Sequence, residues 1–161
     1  MKKILIYIAS IFVAVFAISC TSECYVSRES KLGISFIDSL TYKAKNITKL
    51  TVIGVGSDSV LYNNATLSAI YLPLHSDNTS TSFKFILPPK EEGKETRDTI
   101  LLHVNHTPKP QLISEECGCT MFHTLNDAQL INNTYNFKFD IVNSNITNIY
   151  NDKETQIKIL H

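Results

Sequence analysis

The chain has no tryptophan and no excess of charge of either sign: its 161 residues carry fifteen Lys and Arg against fifteen Asp and Glu. Balanced charge excludes the basic face that nucleic acid requires. It also excludes a polybasic segment held to a lipid surface. Without tryptophan, a carbohydrate site would lack its best stacking surface. No Walker loop, no Gly-x-Ser-x-Gly elbow and no His-Glu-x-x-His is present. Asp38, Asp58 and Asp98 stand on separate turns, without calcium-loop spacing. No cofactor motif and no metal-ligand set is read here, and no long 3.6-residue periodicity occurs beyond the first twenty residues.

The N-terminus carries the strongest signal. Met1-Lys2-Lys3 is a short positive start, and residues 4–18 form an uncharged apolar run that ends at Ser19-Cys20. A positive start, a short apolar core and small residues before a cut mark a secretory signal peptide. The run falls short of the about 20 residues that span a bilayer. Ala17-Ile18-Ser19-Cys20 resembles the lipobox of bacterial lipoproteins, with Ala17 where leucine is usual. The resemblance implies cleavage before Cys20 and lipid on its thiol, each buried CH₂ contributing about 0.8 kcal/mol to anchoring. The expected division is residues 1–19 as signal peptide, 20–30 as anchor and tether, and 31–161 as the folded domain. Losing the leader removes Lys2 and Lys3, so 142 residues remain with a formal charge of −2. No Asp follows Cys20, and Glu23 stands alone. By the lipoprotein resemblance this points to the outer membrane, with its periplasmic face ahead of the cell surface.

If lipid occupies Cys20, then Cys24, Cys117 and Cys119 remain, an odd number for an oxidising compartment. Cys117 and Cys119, two apart on a strand, stand near the upper geometric limit for bridging each other. Cys24 is therefore expected to pair with one of them, closing a loop worth about 4–5 kcal/mol at most in the chain-entropy picture. A redox or metal role for Cys117-Gly118-Cys119 would need accompanying ligands, and the nearest His is His123.

Beyond residue 30 the dominant pattern is alternation with period two. It runs through Leu32, Ile34 and Phe36, through Phe83, Phe85 and Leu87, and through Ile100, Leu102 and Val104. It returns at Ile157 and Ile159, and is clearest at Tyr135, Phe137, Phe139 and Ile141. Residues 50–55 make a short buried run, and further strands are expected over 66–74, 111–117 and 119–125. Turn chemistry at 54–58, Asn63-Asn64, 76–78, 88–93 and Pro108-Lys109-Pro110 breaks the chain between them. One helical turn is expected at 126–131. About nine short strands predict an all-β fold, a β-sandwich of immunoglobulin-like type, with a small barrel as the alternative.

Few constellations suggest chemistry. Cys119 and His123 form the one nucleophile–base pairing worth weighing, with Glu115 or Glu116 nearby, against a half-buried thiol and a surface imidazole. His103 and His106 are three apart and face opposite sides of a strand. Asp38-Ser39-Leu40, Asp58-Ser59-Val60 and Asp98-Thr99-Ile100 share one pattern. It resembles the O-glycosylation acceptor of Bacteroidetes-type bacteria, which would place glycan on Ser39, Ser59 and Thr99. Ordinary turn chemistry accounts for it equally well.

Further segments resemble a family of uncharacterised Bacteroidetes-type lipoproteins. They are Cys20 with Cys24, residues 52–59 with Leu61-Tyr62, Ile70-Tyr71-Leu72-Pro73-Leu74, Ser80-Thr81, and residues 113–118 with Glu116-Cys117-Gly118. The resemblance implies a Cys24–Cys117 disulfide, with Cys119 extra. It also implies an outer-membrane β-barrel protein as a partner, and carries no activity. The functional expectation is a lipid-anchored binding or envelope-assembly module that is not an enzyme. The alternatives are a surface glycan- or nutrient-binding lipoprotein and a cysteine-dependent envelope enzyme.

Overall fold

The computed structural model describes residues 30–89, 97–115, 118–142, 147–149 and 154–161. These are all β, in ten strands: β1 Lys31–Ile37, β2 Ile47–Gly54, β3 Val60–Leu67, β4 Ala69–Pro73, β5 Ser80–Leu87, β6 Asp98–Ser114, β7 Gly118–Ile131, β8 Lys138–Ile141, β9 Thr147–Ile149 and β10 Ile157–Leu160. They form two sheets, a four-stranded one in the order β4-β1-β10-β8 and a six-stranded one in the order β3-β2-β5-β6-β7-β9.

The alternation seen in the sequence decides which faces meet. Leu32, Ile34 and Phe36 of β1, Ile70 and Leu72 of β4, and Ile157 and Ile159 of β10 line the inner face of the smaller sheet. Leu50, Val52, Phe83, Phe85, Leu87, Ile100, Leu102 and Val104 line that of the larger, and all fifteen belong to one hydrophobic core. Each such side chain contributes about 1.5–3 kcal/mol on leaving water. The smaller sheet is closed by long-range pairing. β1 lies parallel to β10 and antiparallel to β4, so the first and last described strands are held side by side.

Four local expectations are corrected. Pro108-Lys109-Pro110 does not break the chain; β6 runs through it, with Pro108 opposite His123 and Pro110 opposite Met121. The backbone N–H of His106 points toward β5, donating to the Thr79 carbonyl at 2.8 Å. Pro108 and Pro110 share its parity, so their missing donors face an edge that β5, starting at Ser80, no longer covers. Residues 126–131 are strand rather than helix. β7 absorbs one extra residue at Asn126, because Asn105 pairs with Asp127 and His106 with Leu125. Asn63-Asn64 likewise lies inside β3 at an irregular register, where Asn64 takes φ 48° and its N–H donates to Thr51 Oγ1. Finally, the 135–141 pattern forms a strand only from Lys138. Asn133 closes a side-chain turn on Phe137, donating to its carbonyl and accepting from its N–H, so those groups are withdrawn from pairing.

Candidate functional site

The β2–β3 hairpin and the β4–β5 connection meet at the rim of the two sheets. The hairpin turn is held by Gly54 N–H donating to the Ser59 carbonyl at 2.9 Å and Val55 N–H to the Ser82 carbonyl at 3.0 Å. Gly56 takes φ 95°, a region that favours glycine. Across the gap, the Tyr62 hydroxyl accepts from Tyr71 N–H at 3.0 Å and donates to its carbonyl at 3.3 Å. That side chain ties edge strand β3 of one sheet to edge strand β4 of the other.

Between these parts lies a pocket of about 160 Å³. Its apolar wall includes Val55, Leu61, Pro73 and Leu74, with Ser57, Ser59 and Thr81 as its hydroxyl-bearing residues. Among the described residues, no Asp, Glu, Lys or Arg lines it, and His75 is its titratable side chain. Three separated segments that carry the sequence resemblance, 52–62, 70–74 and 80–81, converge here. Nothing in their spacing along the chain announced this, because the convergence depends on which sheet β3 and β4 each join.

Behind the pocket runs a buried polar chain. His75 N–H donates to Thr81 Oγ1 at 3.0 Å, and Thr81 Oγ1 stands 2.8 Å from His106 Nε2. His106 Nδ1 faces His123 Nδ1 at 3.1 Å, with the rings at 80°. One Nδ1 must carry the proton and the other must accept it, so the pair requires complementary neutral tautomers. Burial is the chief reason that His106 is pushed down to about 4, with repulsion from His123 and His75 adding to it. Burial likewise lowers His123. His123 also borders a second pocket of about 290 Å³, lined by Ser30, Lys31, Pro73, Leu74, Ser76, Thr120 and Met121. The polar chain thus connects two hollows that share the Pro73–Leu74 wall.

Other singled-out residues fall elsewhere. His103 turns outward to Ser82 Oγ at 2.8 Å while His106 turns inward, on opposite faces as expected. Cys119 and His123 are not brought together. The burial is the reverse of what the sequence suggested: the thiol is exposed and the imidazole is 4% exposed. Four residues along a strand separate them by about 13 Å. Ser39, Ser59 and Thr99 are all exposed, on three different elements. At the first, turn chemistry is explicit: Asp38 Oδ1 accepts from Leu40 N–H, Thr41 N–H and the Thr41 hydroxyl, and Asp38 pairs with Lys45 at 2.9 Å. Cys20, Cys24 and Cys117 lie outside the described residues. Among the described residues, no three His, Cys, Asp or Glu side chains converge as metal ligands would.

An all-β domain with an uncharged rim pocket defines, at this level, a small two-sheet module. The chain belongs to a family of unknown function, DUF6452, whose model matches residues 49–161. No curated protein and no solved structure matches it.

Proposed function

We propose that the protein is a Bacteroidetes-type outer-membrane lipoprotein, anchored through Cys20, that serves as a non-catalytic binding or envelope-assembly module. The observation that carries the binding role is the rim pocket. Three separated segments build one half-enclosed hollow with apolar walls and the hydroxyl-bearing residues Ser57, Ser59 and Thr81. Such a lining favours neutral ligand groups over ions. The anchor rests on the Lys2-Lys3 start, the apolar run and the lipobox resemblance. The two inner faces sharing one core support an immunoglobulin-like sandwich as the finer description of the fold. Within this reading the domain hangs from the outer membrane on its periplasmic side, beside a β-barrel partner, and Ser39, Ser59 and Thr99 are open to glycosylation.

Changing Cys20 to Ala tests the anchor. The variant is expected to leave the membrane fraction or to accumulate unprocessed; a matured variant still bound to membrane would refute lipidation. A second reading, glycan or nutrient binding, is favoured by the hydroxyl-bearing residues Ser57, Ser59 and Thr81. Titration with neutral sugars separates the two: a saturable rise in melting temperature that Ser59→Val abolishes supports the sugar site.

A further inference from the structure

Edge strand β3 borders the rim pocket, and its ladder is irregular. It ends the six-stranded sheet and pairs with β2 alone. Ile47 stands opposite Leu67, Leu50 opposite Ala65, Val52 opposite Tyr62 and Ile53 opposite Val60, and the register slips between each pair and the next. Leu61 therefore has no counterpart on β2, and Asn63-Asn64 face the single residue Thr51. The slip at Leu61 has a consequence for Tyr62. Val60 and Tyr62, two apart, would share a face in an unbroken strand. The extra residue instead leaves Val60 on the exposed side and turns Tyr62 inward beside buried Val52. From there its hydroxyl reaches the N–H and carbonyl of Tyr71 on β4.

We propose that β3 is a strap over the rim pocket, fastened in its middle by the Tyr62 hydroxyl and opened by release of that contact. This rests on the reading of the pocket as the binding site and gives that site a gate. The strap is fixed at both ends. The Ser59 carbonyl accepts from Gly54 N–H at 2.9 Å, and the Ser68 carbonyl accepts from Phe36 N–H at 2.8 Å. Between these points it is lightly held. All eight residues of β3 are half-buried or exposed, and the Asn64 N–H goes to the Thr51 hydroxyl instead of a ladder carbonyl. A segment with few buried side chains and a broken ladder opens locally at a lower cost than the sheet it borders. The position of the fastening matters too. Leu61, the neighbour of Tyr62, forms the pocket wall on the β3 side, while Pro73 and Leu74 at the end of β4 form it on the other. Tyr62 thus ties together the two elements that must part for the pocket to widen, and its release draws Leu61 away from Pro73 and Leu74.

Hydrogen exchange on the full-length protein tests the strap, with Tyr62→Phe compared against the parent. The substitution keeps the ring and removes both hydrogen bonds of the hydroxyl. Amides of residues 60–67 are expected to exchange about tenfold faster, while those of β5 and of residues 98–106 keep the parent's rates. A second readout places the motion at the pocket. In Leu61→Cys, maleimide coupling at position 61 is followed by peptide mapping, which counts Cys119 separately. Its rate is expected to rise about tenfold when Tyr62→Phe is added. Unchanged exchange over 60–67 overturns the proposal. So does an equal acceleration in β5 and β6, which would make the hydroxyl a tie for the whole fold. Faster exchange in β3 with unaltered coupling at position 61 overturns it as well, since the strand would then open without opening the pocket. Neither readout uses a ligand, so a failed sugar titration counts against the binding reading and is told apart from a failure of the strap.

Discussion

Gly33 shows how one residue can decide whether two distant parts of the chain fit. It sits in β1 opposite Tyr71, and its N–H donates to Gln156 Oε1 at 2.7 Å while its carbonyl accepts from Gln156 N–H at 2.9 Å. A Cβ built on Gly33 would collide with the Glu154 backbone carbonyl. Because backbone cannot swing aside as a side-chain tip can, Gly33→Ala is expected to cost about 2–4 kcal/mol and to lower the denaturant midpoint with the slope unchanged. Nothing in the local sequence distinguishes this glycine, since the segment that crowds it lies more than a hundred residues away. His106 is the opposite case. It continues the Ile100, Leu102, Val104 parity, so its burial was legible in the sequence. What sequence could not show was that His123 would face it, because that depends on the one-residue slip at Asn126. The buried pair also sets a pH dependence. The unfolded chain takes up a proton at His106 near its ordinary value of 6.5, whereas the folded chain resists until about 4. Stability is therefore full above about pH 6.5 and is expected to fall as the pH drops toward 4, by about 3 kcal/mol from His106, with His123 and His161, also held low by burial, adding in the same direction. Asp38, also held low in the folded chain by Lys45 and by N–H donors, stays ionised through that window and does not confound it. Urea melts at several pH values should show the slope, and His106→Gln should flatten it.

At the scale of elements, the strands that sequence located well are those whose alternation meets an apolar core on one side only. β1, β5, the first half of β6 and β10 are of this kind. Two of the misplaced elements, at Asn63-Asn64 and Pro108-Lys109-Pro110, were read from turn-forming residues without knowing what lies beside them, whereas the 135–141 pattern was read from alternation that the Asn133 turn interrupts. Pro108 and Pro110 are strand breakers where a neighbouring strand needs their N–H, and are harmless here because β5 has already ended. They have a second consequence. Past His106 that edge of β6 is uncovered by β5, and an exposed edge templates pairing with other chains. Two missing donors on that edge remove two ladder hydrogen bonds from any such pairing. Replacing Pro108 and Pro110 together with Thr is expected to leave the fold in place and to promote concentration-dependent self-association, read by light scattering. A double variant that stays as monodisperse as the parent would show that the prolines do not guard the edge.

Over the whole molecule, the described chain begins against the long β6–β7 hairpin, and this bears on the disulfide. Ser30 Oγ donates to the Met121 carbonyl at 2.7 Å, so the tether enters the fold beside the outer half of β7. Cys24 is six residues before Ser30, a span of at most about 21 Å when extended. Cys119 is two residues from Met121 along β7, and Cys117 two further. Cys24 and Cys117 lie outside the described residues, so reach does not choose between Cys117 and Cys119. The sequence resemblance implies Cys117; Cys119 is exposed. Under the proposed anchoring, a Cys24–Cys117 bridge would tie the anchored segment to the folded domain. Loss of such a bridge typically costs about 2–5 kcal/mol, a large share of the stability of a small domain. Peptide mapping of the mature protein under non-reducing conditions is expected to recover a Cys24–Cys117 pair, with Cys119 open to alkylation. Cys117→Ser should lower the melting temperature, while Cys119→Ser should leave it unchanged. A Cys24–Cys119 peptide would reverse the assignment, and three alkylated thiols in the exported protein would remove the bridge from the account.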